Sequence, residues 1–578
     1  MAYTDEELML LEQLTYLNDD VYKAAGLNDF LKVTDIKAAN DIEALLEAFN
    51  STAIQELKEK GSQQILNDNN KKTHISGAEW AQIIESIQKN DKLKNLELSH
   101  ITTVDSSDGD GYNIDTMCFN EPGNKDDAIV CFRGTLNGKE WNDNGEYICA
   151  ARTDCNQAAL VYINGLPYSN ITVVGHSKGA NKAAYVYFES DKVNYCVSMD
   201  MPGFPTEYFH EMASVIAAKK DGFHPYALES DYVNILVLPV PDVETIYLKG
   251  YGVDGFAENH CPNCFFYYDE ADSPHTTISK IGQNNAMKAL HNFTAFVALE
   301  MPYAQRIEVG NYLGDVLEML LGGGEYSFKD KVDILLSDVD SLATIAAYFK
   351  KYCAIYDKDE IGLLKTFFGD SIVSDCLKLE KFNLPLISKL GILKTDFIFL
   401  FLLVYGVDGK ISNDKKLKEK IERLVSMLIS NNLSDKIKEK YTALDTLQKP
   451  LSLDYKSYGG KKYDYTQETY SSIKSNIRSF NDIEYSRPSS VWNDYADFEW
   501  YESICADSIK EALTSFIDKV PVLNENCGLE FDNTFHNEWE VDEQYMNIYS
   551  SQMRKLDSCI QKFVVLKERM EFNTGLSF

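Results

Sequence analysis

The sequence has no apolar run of membrane length. Its longest, Phe397 to Val407 (FIFLFLLVYGV), is about half the ~20 residues that a helical span needs. Lys394, Asp396 and Asp408 flank it, so a buried core helix is expected there and no transmembrane anchoring. Basic residues are scarce: Lys+Arg 56 against Asp+Glu 89 gives a formal net charge of −33. That balance repels phosphate backbones and anionic membranes and argues against nucleic acid as a partner. The opening stretch MAYTDEELMLLEQLTYLNDD lacks both the basic start and the uninterrupted apolar core of a secretory signal. A cytoplasmic protein, or one exported without a cleaved Sec signal peptide, is expected.

Ordered cysteine patterns are missing too. The 12 cysteines are scattered without a repeating spacing, which fits reduced thiols better than a disulfide framework. Cys261-Pro-Asn-Cys264 is one close pair, but no second CxxC completes a zinc site and the stretch lacks the βα setting of a thioredoxin-like motif. In DSSDGDGYN, residues 105 to 113, the acidic residues miss the EF-hand offsets and no glutamate closes the loop, so a hairpin turn is expected. No internal repeat is visible. Neither a metal nor a cofactor is expected.

Apolar residues are plentiful, 44% of 578, which is enough to bury two or three domains. Residues 1–100 carry apolar positions at three- and four-residue spacing and read as a helical lead-in. Residues 101–300 alternate short apolar runs with amphipathic stretches, the pattern of an α/β core with a largely parallel sheet. Helical periodicity returns over 301–446. Residues 447–467 (LQKPLSLDYKSYGGKKYDYTQ begins at Leu447) have linker composition, and 468–578 read as a helical C-terminal module.

Within the α/β region, ITVVGHSKGANKAAYVYF (171 to 188) is a β-branched strand, a turn and a run of helix formers. The turn, Gly175-His176-Ser177-Lys178-Gly179, is G-x-S-x-G in strand–turn–helix context, the setting of a nucleophile elbow. A serine on so sharp a turn sits in strained backbone, and the flanking glycines avoid clashes with strand and helix. The helix N-terminus then points N–H groups at developing negative charge.

A serine nucleophile needs a histidine base, and the base needs a carboxylate. In the α/β-hydrolase order of Ser, acid, His, Asp231 follows the strand YALES at its carboxyl end and is the leading acid. Asp200, ending the preceding strand, and Asp242 in PVPDVE are rivals. His210 and His224 precede Asp231 and break the order, and His291 lies in a helical pattern. His260, in a Gly- and Asn-rich loop, is the leading base, with His275 behind it. His176 is expected to support the turn.

Upstream, AIVCFRGTLNGKEWNDNGEY (128 to 147) is a strand running into a Gly-Thr loop with Trp141 six residues after Thr135. AIVCFRGT…EWNDN, ITVVGHSKGAN, SDYVNILVLP and the later loop histidine together resemble the class 3 (fungal-type) lipase family. The likeness is closest to a bacterial branch of serine α/β-hydrolases that carries GHSKGGN at the elbow. It covers about residues 100 to 265, under a third of the chain. The resemblance implies an α/β-hydrolase core, with Ser177 as nucleophile, Asp231 as acid and His260 as base. It also implies an oxyanion hole from Thr135, through backbone N–H and hydroxyl, and the backbone N–H of Lys178.

Ala180 and Lys178 depart from the family, which has a second glycine and commonly a leucine there. The expected activity is serine carboxylic-ester hydrolysis of lipase, phospholipase or esterase type, on an ester or lipid substrate. The alternatives are a hydrolase-fold binding protein lacking its acid or base, and a lipase effector whose C-terminal helices, with YADFE resembling a tyrosine/acid export signal but no WxG, serve secretion or a protein partner.

Overall fold

The computed structural model describes most residues from Tyr3 to Leu444. Residues 28–40, 67–71, 103–115, 136–143, 146–150, 251–259, 268–274, 277–280, 369–422 and 445–578, with a few shorter stretches, lie outside the description. The apolar run at 397–407, the turn at 105–113, Trp141, His210, the 447–467 linker and the C-terminal module therefore fall outside the described residues.

A short hairpin, β1 (Gln64–Leu66) with β2 (Lys72–Ser76), precedes the main sheet. That sheet has seven strands in the spatial order β3 (Glu97–Thr102), β4 (Thr116–Asn120), β5 (Asp127–Phe132), β6 (Asn170–His176), β7 (Val193–Met199), β8 (Phe223–Leu228) and β9 (Ile246–Leu248). β3, β4 and β5 form an antiparallel meander, and every pair from β5 to β9 is parallel. Parallel neighbours need crossovers, and three of the four here carry a helix: Asp154–Gly165, Lys178–Glu189 and Ala213–Lys219; the fourth, from β8 to β9, runs through turns. This is an α/β fold with a mostly parallel sheet, as the alternation of patterns predicts.

The central strands are apolar on both faces because helices cover both faces. Cys131, Val174, Val197 and Met199 pack with Leu8, Leu11, Trp80 and Ile84 of the N-terminal helices. Val130, Phe132, Val173 and Cys196 turn the other way, against Ala159, Ile163, Ala183 and Ala184 of the crossover helices. The period of two thus assigns each residue to a layer. The helices of the first hundred residues are one of those layers. The first strand of the main sheet begins at Glu97, ahead of the expected boundary at 100.

Beyond the sheet, the helices Asn285–Glu300, Tyr303–Leu321, Phe328–Leu335, Val339–Tyr356, Glu360–Phe368 and Leu433–Ala443 share a core that includes Phe296, Tyr348, Leu364 and Leu433. The helix Asn285–Glu300 joins this core to the sheet, since its Ala295, Ala298 and Leu299 pack with the crossover helices. Among the described residues no helix is long and apolar enough to cross a membrane.

The lead-in helix Asp5–Gln13 starts in a capping box, with Thr4 and Glu7 each bonding the other's backbone N–H. Its first residue is also a clasp. The Asp5 carboxylate accepts from the Tyr195 and Tyr226 hydroxyls, each at 2.6 Å, and pairs with His224 Nδ1 at 2.9 Å. Burial pushes the Asp5 carboxyl up, but His224 and the two phenols outweigh it and hold it below its usual range. The bond to Asp5 raises His224, against a smaller opposing effect of burial.

The signs define a window. A lowered Asp5 contributes stability that is lost as pH falls through its folded value, and a raised His224 contributes stability that is lost as pH rises through its own. Both are present between the ordinary values, about 4 and about 6.5. Urea unfolding of wild type and Asp5→Asn across pH is expected to give the largest gap in midpoint inside that window. The gap narrows above it as His224 loses its proton.

Candidate active site

The elbow is built by backbone meeting backbone. Ser177 directly follows β6 with φ 57° and ψ −125°, a conformation that L residues rarely adopt, and the helix Lys178–Glu189 starts at once. A Cβ on Gly175 would stand 2.2 Å from the Gly179 carbonyl oxygen, and one on Gly179 would stand 2.0 Å from that of Phe132. Only glycine fits at either position. The Ser177 N–H donates to the Met199 carbonyl at 2.8 Å, tying the turn to the end of β7.

Beside the turn runs the Arg133-Gly134-Thr135 loop that leaves β5. A Cβ on Gly134 would lie 3.2 Å from Ser177 Cβ, so this loop passes directly against the serine. The Gly134 N–H donates to the Tyr16 hydroxyl at 3.2 Å, and Asn144 Nδ2 donates to Thr135 Oγ1 at 3.0 Å. Lys178 is buried and opens the helix, so its amide belongs to the first turn, whose N–H groups point out along the axis. Asn181, also buried, donates to the Pro202 and Gly203 carbonyls and accepts from Asn156, fixing the chain beyond β7.

Asp231, fully buried three residues past β8, is held by its own turn. One oxygen, Oδ2, accepts from the Val233 N–H at 3.0 Å, the Asn234 N–H at 2.6 Å and Asn234 Nδ2 at 2.8 Å. Its other oxygen, Oδ1, lies 2.6 Å from His260 Nδ1, and His260 Nε2 lies 2.8 Å from Ser177 Oγ. The structure brings together the three side chains that the order of motifs picks out, at hydrogen-bond distance in a line. The His260 ring is flanked by Tyr232, 5.1 Å between centroids, and by His176, 4.8 Å.

The other candidates stand elsewhere. Asp242 is exposed in a turn, at φ 58°. His275 pairs with Tyr267 in a two-stranded ribbon, β10 (Phe266–Tyr267) with β11 (His275–Thr276). His224 serves the Asp5 clasp, and His291 is enclosed in its helix, where burial lowers it to about 3. Asp200 lies fully buried beneath the site, its Oδ1 accepting the Leu228 N–H at 2.8 Å. Cys261 and Cys264 are both buried, the first capping and the second within the 3₁₀ turn Pro262–Phe265 that directly follows His260.

One residue at the site, Tyr16, carried no such assignment in the sequence. Tyr16, from the turn after the lead-in helix, sets its hydroxyl 2.7 Å from His176 Nδ1 as well as against Gly134. The Arg133 guanidinium sits 5.0 Å above its ring. Burial raises the Tyr16 phenol well above its usual range, so it stays a neutral hydroxyl. Burial and then His260 push His176 well down, while the nearby His260 carbonyl works in the opposite direction. Burial and then Asp231 push Asp200 well up. One donor atom from each of His176, Asp200 and His260 falls within 4.8 Å of the others.

The strained backbone gives a test. Ser177→Gly removes the Cβ that makes the positive φ costly, whereas Ser177→Ala keeps it; the glycine variant is expected to be the more stable of the two by about 1 kcal/mol in urea unfolding.

A family model described as Mbeg1-like matches residues 87–226, which span β3 to most of β8 and include the elbow and the Gly-Thr loop but stop short of Asp231 and His260. No curated protein and no solved structure matches the chain.

Proposed function

We propose that this chain is a serine carboxylic-ester hydrolase working through Ser177, His260 and Asp231 on an α/β-hydrolase core. The observation that carries the reading is the unbroken line from the Asp231 carboxylate through both nitrogens of His260 to the Ser177 hydroxyl, at 2.6 and 2.8 Å. Similarity to the Mbeg1-like family, which is lipase-like, agrees with it at the level of hydrolases in general.

In this mechanism Asp231 accepts from His260 Nδ1–H, which leaves the Nε2 lone pair facing Ser177 Oγ–H. Ser177 attacks the ester carbonyl as His260 takes its proton, and Asp231 steadies the imidazolium. The backbone N–H groups of Thr135 and Lys178, with the Thr135 hydroxyl, hold the oxyanion; losing one such donor typically costs ~10²- to 10³-fold in rate. His260 then protonates the leaving alcohol, and water, activated by the same ring, releases the acid from the acyl-serine. The alternative of a binding protein without acid or base finds no support at the site, where both groups stand in reach of their partners.

Hydrolysis of p-nitrophenyl esters from acetate to palmitate is expected for the wild type. Activity and fluorophosphonate labelling should disappear together in Ser177→Ala, and Asp231→Asn should reduce kcat by about 10⁴. The preferred chain length separates an esterase from a lipase. Folded wild-type protein that neither turns over esters nor takes the label would overturn the reading.

A further inference from the structure

Beneath the proposed relay lies a second histidine–carboxylate pair that no step of ester hydrolysis uses. His176 is 3% exposed and Asp200 0%. His176 Nε2 and Asp200 Oδ2 face each other across 4.0 Å, and neither atom has a hydrogen-bond partner among the described residues. Buried polar atoms are nearly always satisfied, so two orphans opposite one another mark a gap that calls for an occupant.

The remaining atoms of the pair are already engaged. His176 Nδ1 meets the Tyr16 hydroxyl at 2.7 Å, and Asp200 Oδ1 accepts the Leu228 N–H at 2.8 Å. Outer hydrogen bonds of this kind orient a metal ligand and set its tautomer. In the tautomer that donates Nδ1–H to Tyr16, the Nε2 lone pair points into the gap. The third donor is His260, whose ring lies 4.8 Å from that of His176.

The geometry points to a zinc-class divalent cation site in this gap, with His176 Nε2 and Asp200 Oδ2 as fixed ligands and His260 as the third. Two imidazoles and a carboxylate suit zinc and its neighbours, whereas calcium and magnesium take oxygen. Ligand bonds of about 2.0–2.2 Å in a tetrahedron put neighbouring donors about 3.4 Å apart, so the 4.0 Å gap closes on an ion with a shift of under about 1 Å. To ligate, His260 gives up one of its two hydrogen bonds, to Ser177 or to Asp231. The cation and the relay compete for one ring, and the site is inhibitory. That last step rests on the hydrolase reading; binding of the cation does not.

The experiment titrates zinc into the full chain, stripped with chelator, against a chromophoric zinc indicator. Wild type and Ser177→Ala are expected to bind one zinc per chain. Asp200→Asn and His176→Gln should each weaken binding at least about 10-fold, with folding checked by circular dichroism. Cobalt(II) in place of zinc reports the ligands in unaltered protein: an intense visible band without a thiolate charge-transfer band is expected. In parallel, ester hydrolysis by the wild type should fall with added zinc and return with chelator.

Absence of stoichiometric zinc binding to the wild type overturns the site. So does a thiolate band, or binding lost in Cys261→Ser or Cys264→Ser but kept in both ligand variants. Zinc binding in a chain without esterase activity upholds the site and overturns the hydrolase reading. Esterase activity without zinc binding overturns the site alone.

Discussion

The arrangement of this site depends on one close approach. The helix Lys178–Glu189 is set so tightly against β5 and β6 that the carbonyl oxygens of Phe132 and Gly179 occupy the space a Cβ would need at Gly179 and Gly175. Bringing backbone to that distance forces Ser177 into its left-handed turn and lifts its side chain out of the sheet edge. The same contact sets the Gly-Thr loop beside the serine, because that loop continues directly from Phe132. The strain at Ser177 is held by helix and strands buried on both sides.

The helices before the sheet are as much a part of the site as the sheet itself. Asp5 fixes one end of the lead-in helix across β7 and β8, and Tyr16, one turn past the other end, reaches the elbow and the Gly-Thr loop. The helix therefore lies along the sheet from the early residues of its strands toward their carboxyl ends, where α/β sheets present their ligands. Glu12, buried on the same helix, is pushed well up by burial, while the charge of Arg133 works against that shift. Polar groups here are spent on orientation, within a face that is otherwise leucine, isoleucine and tryptophan.

What was legible in the sequence follows from the range of the forces involved. The strand–turn–helix around Ser177 is local, and its pattern of β-branched residues, glycines and alanines is sufficient to place it. Asp231 and His260 emerge from chain order, because each topological position in such a sheet has a fixed place relative to the nucleophile. Tyr16 carries no local signal: its partners His176 and Gly134 lie 160 and 118 residues away. The pairing of His176 with Asp200 needs the register of β6 against β7, which a sequence pattern leaves open. The first hundred residues read as helical, but amphipathic spacing reveals only that a helix has an apolar face and not which surface it covers.

The Asp5 clasp also has a bearing on how the chain acquires its structure. Asp5 meets partners 190, 219 and 221 residues downstream. During synthesis the lead-in helix leaves the ribosome early, yet its docking surface does not exist until β7 and β8 have paired with the growing sheet. Contacts of such separation are slow to close, and the uncovered sheet face and amphipathic helix are exposed in the interval. Because Tyr16 is carried by that helix, its contacts with His176 and Gly134 cannot close until the helix has docked on the sheet.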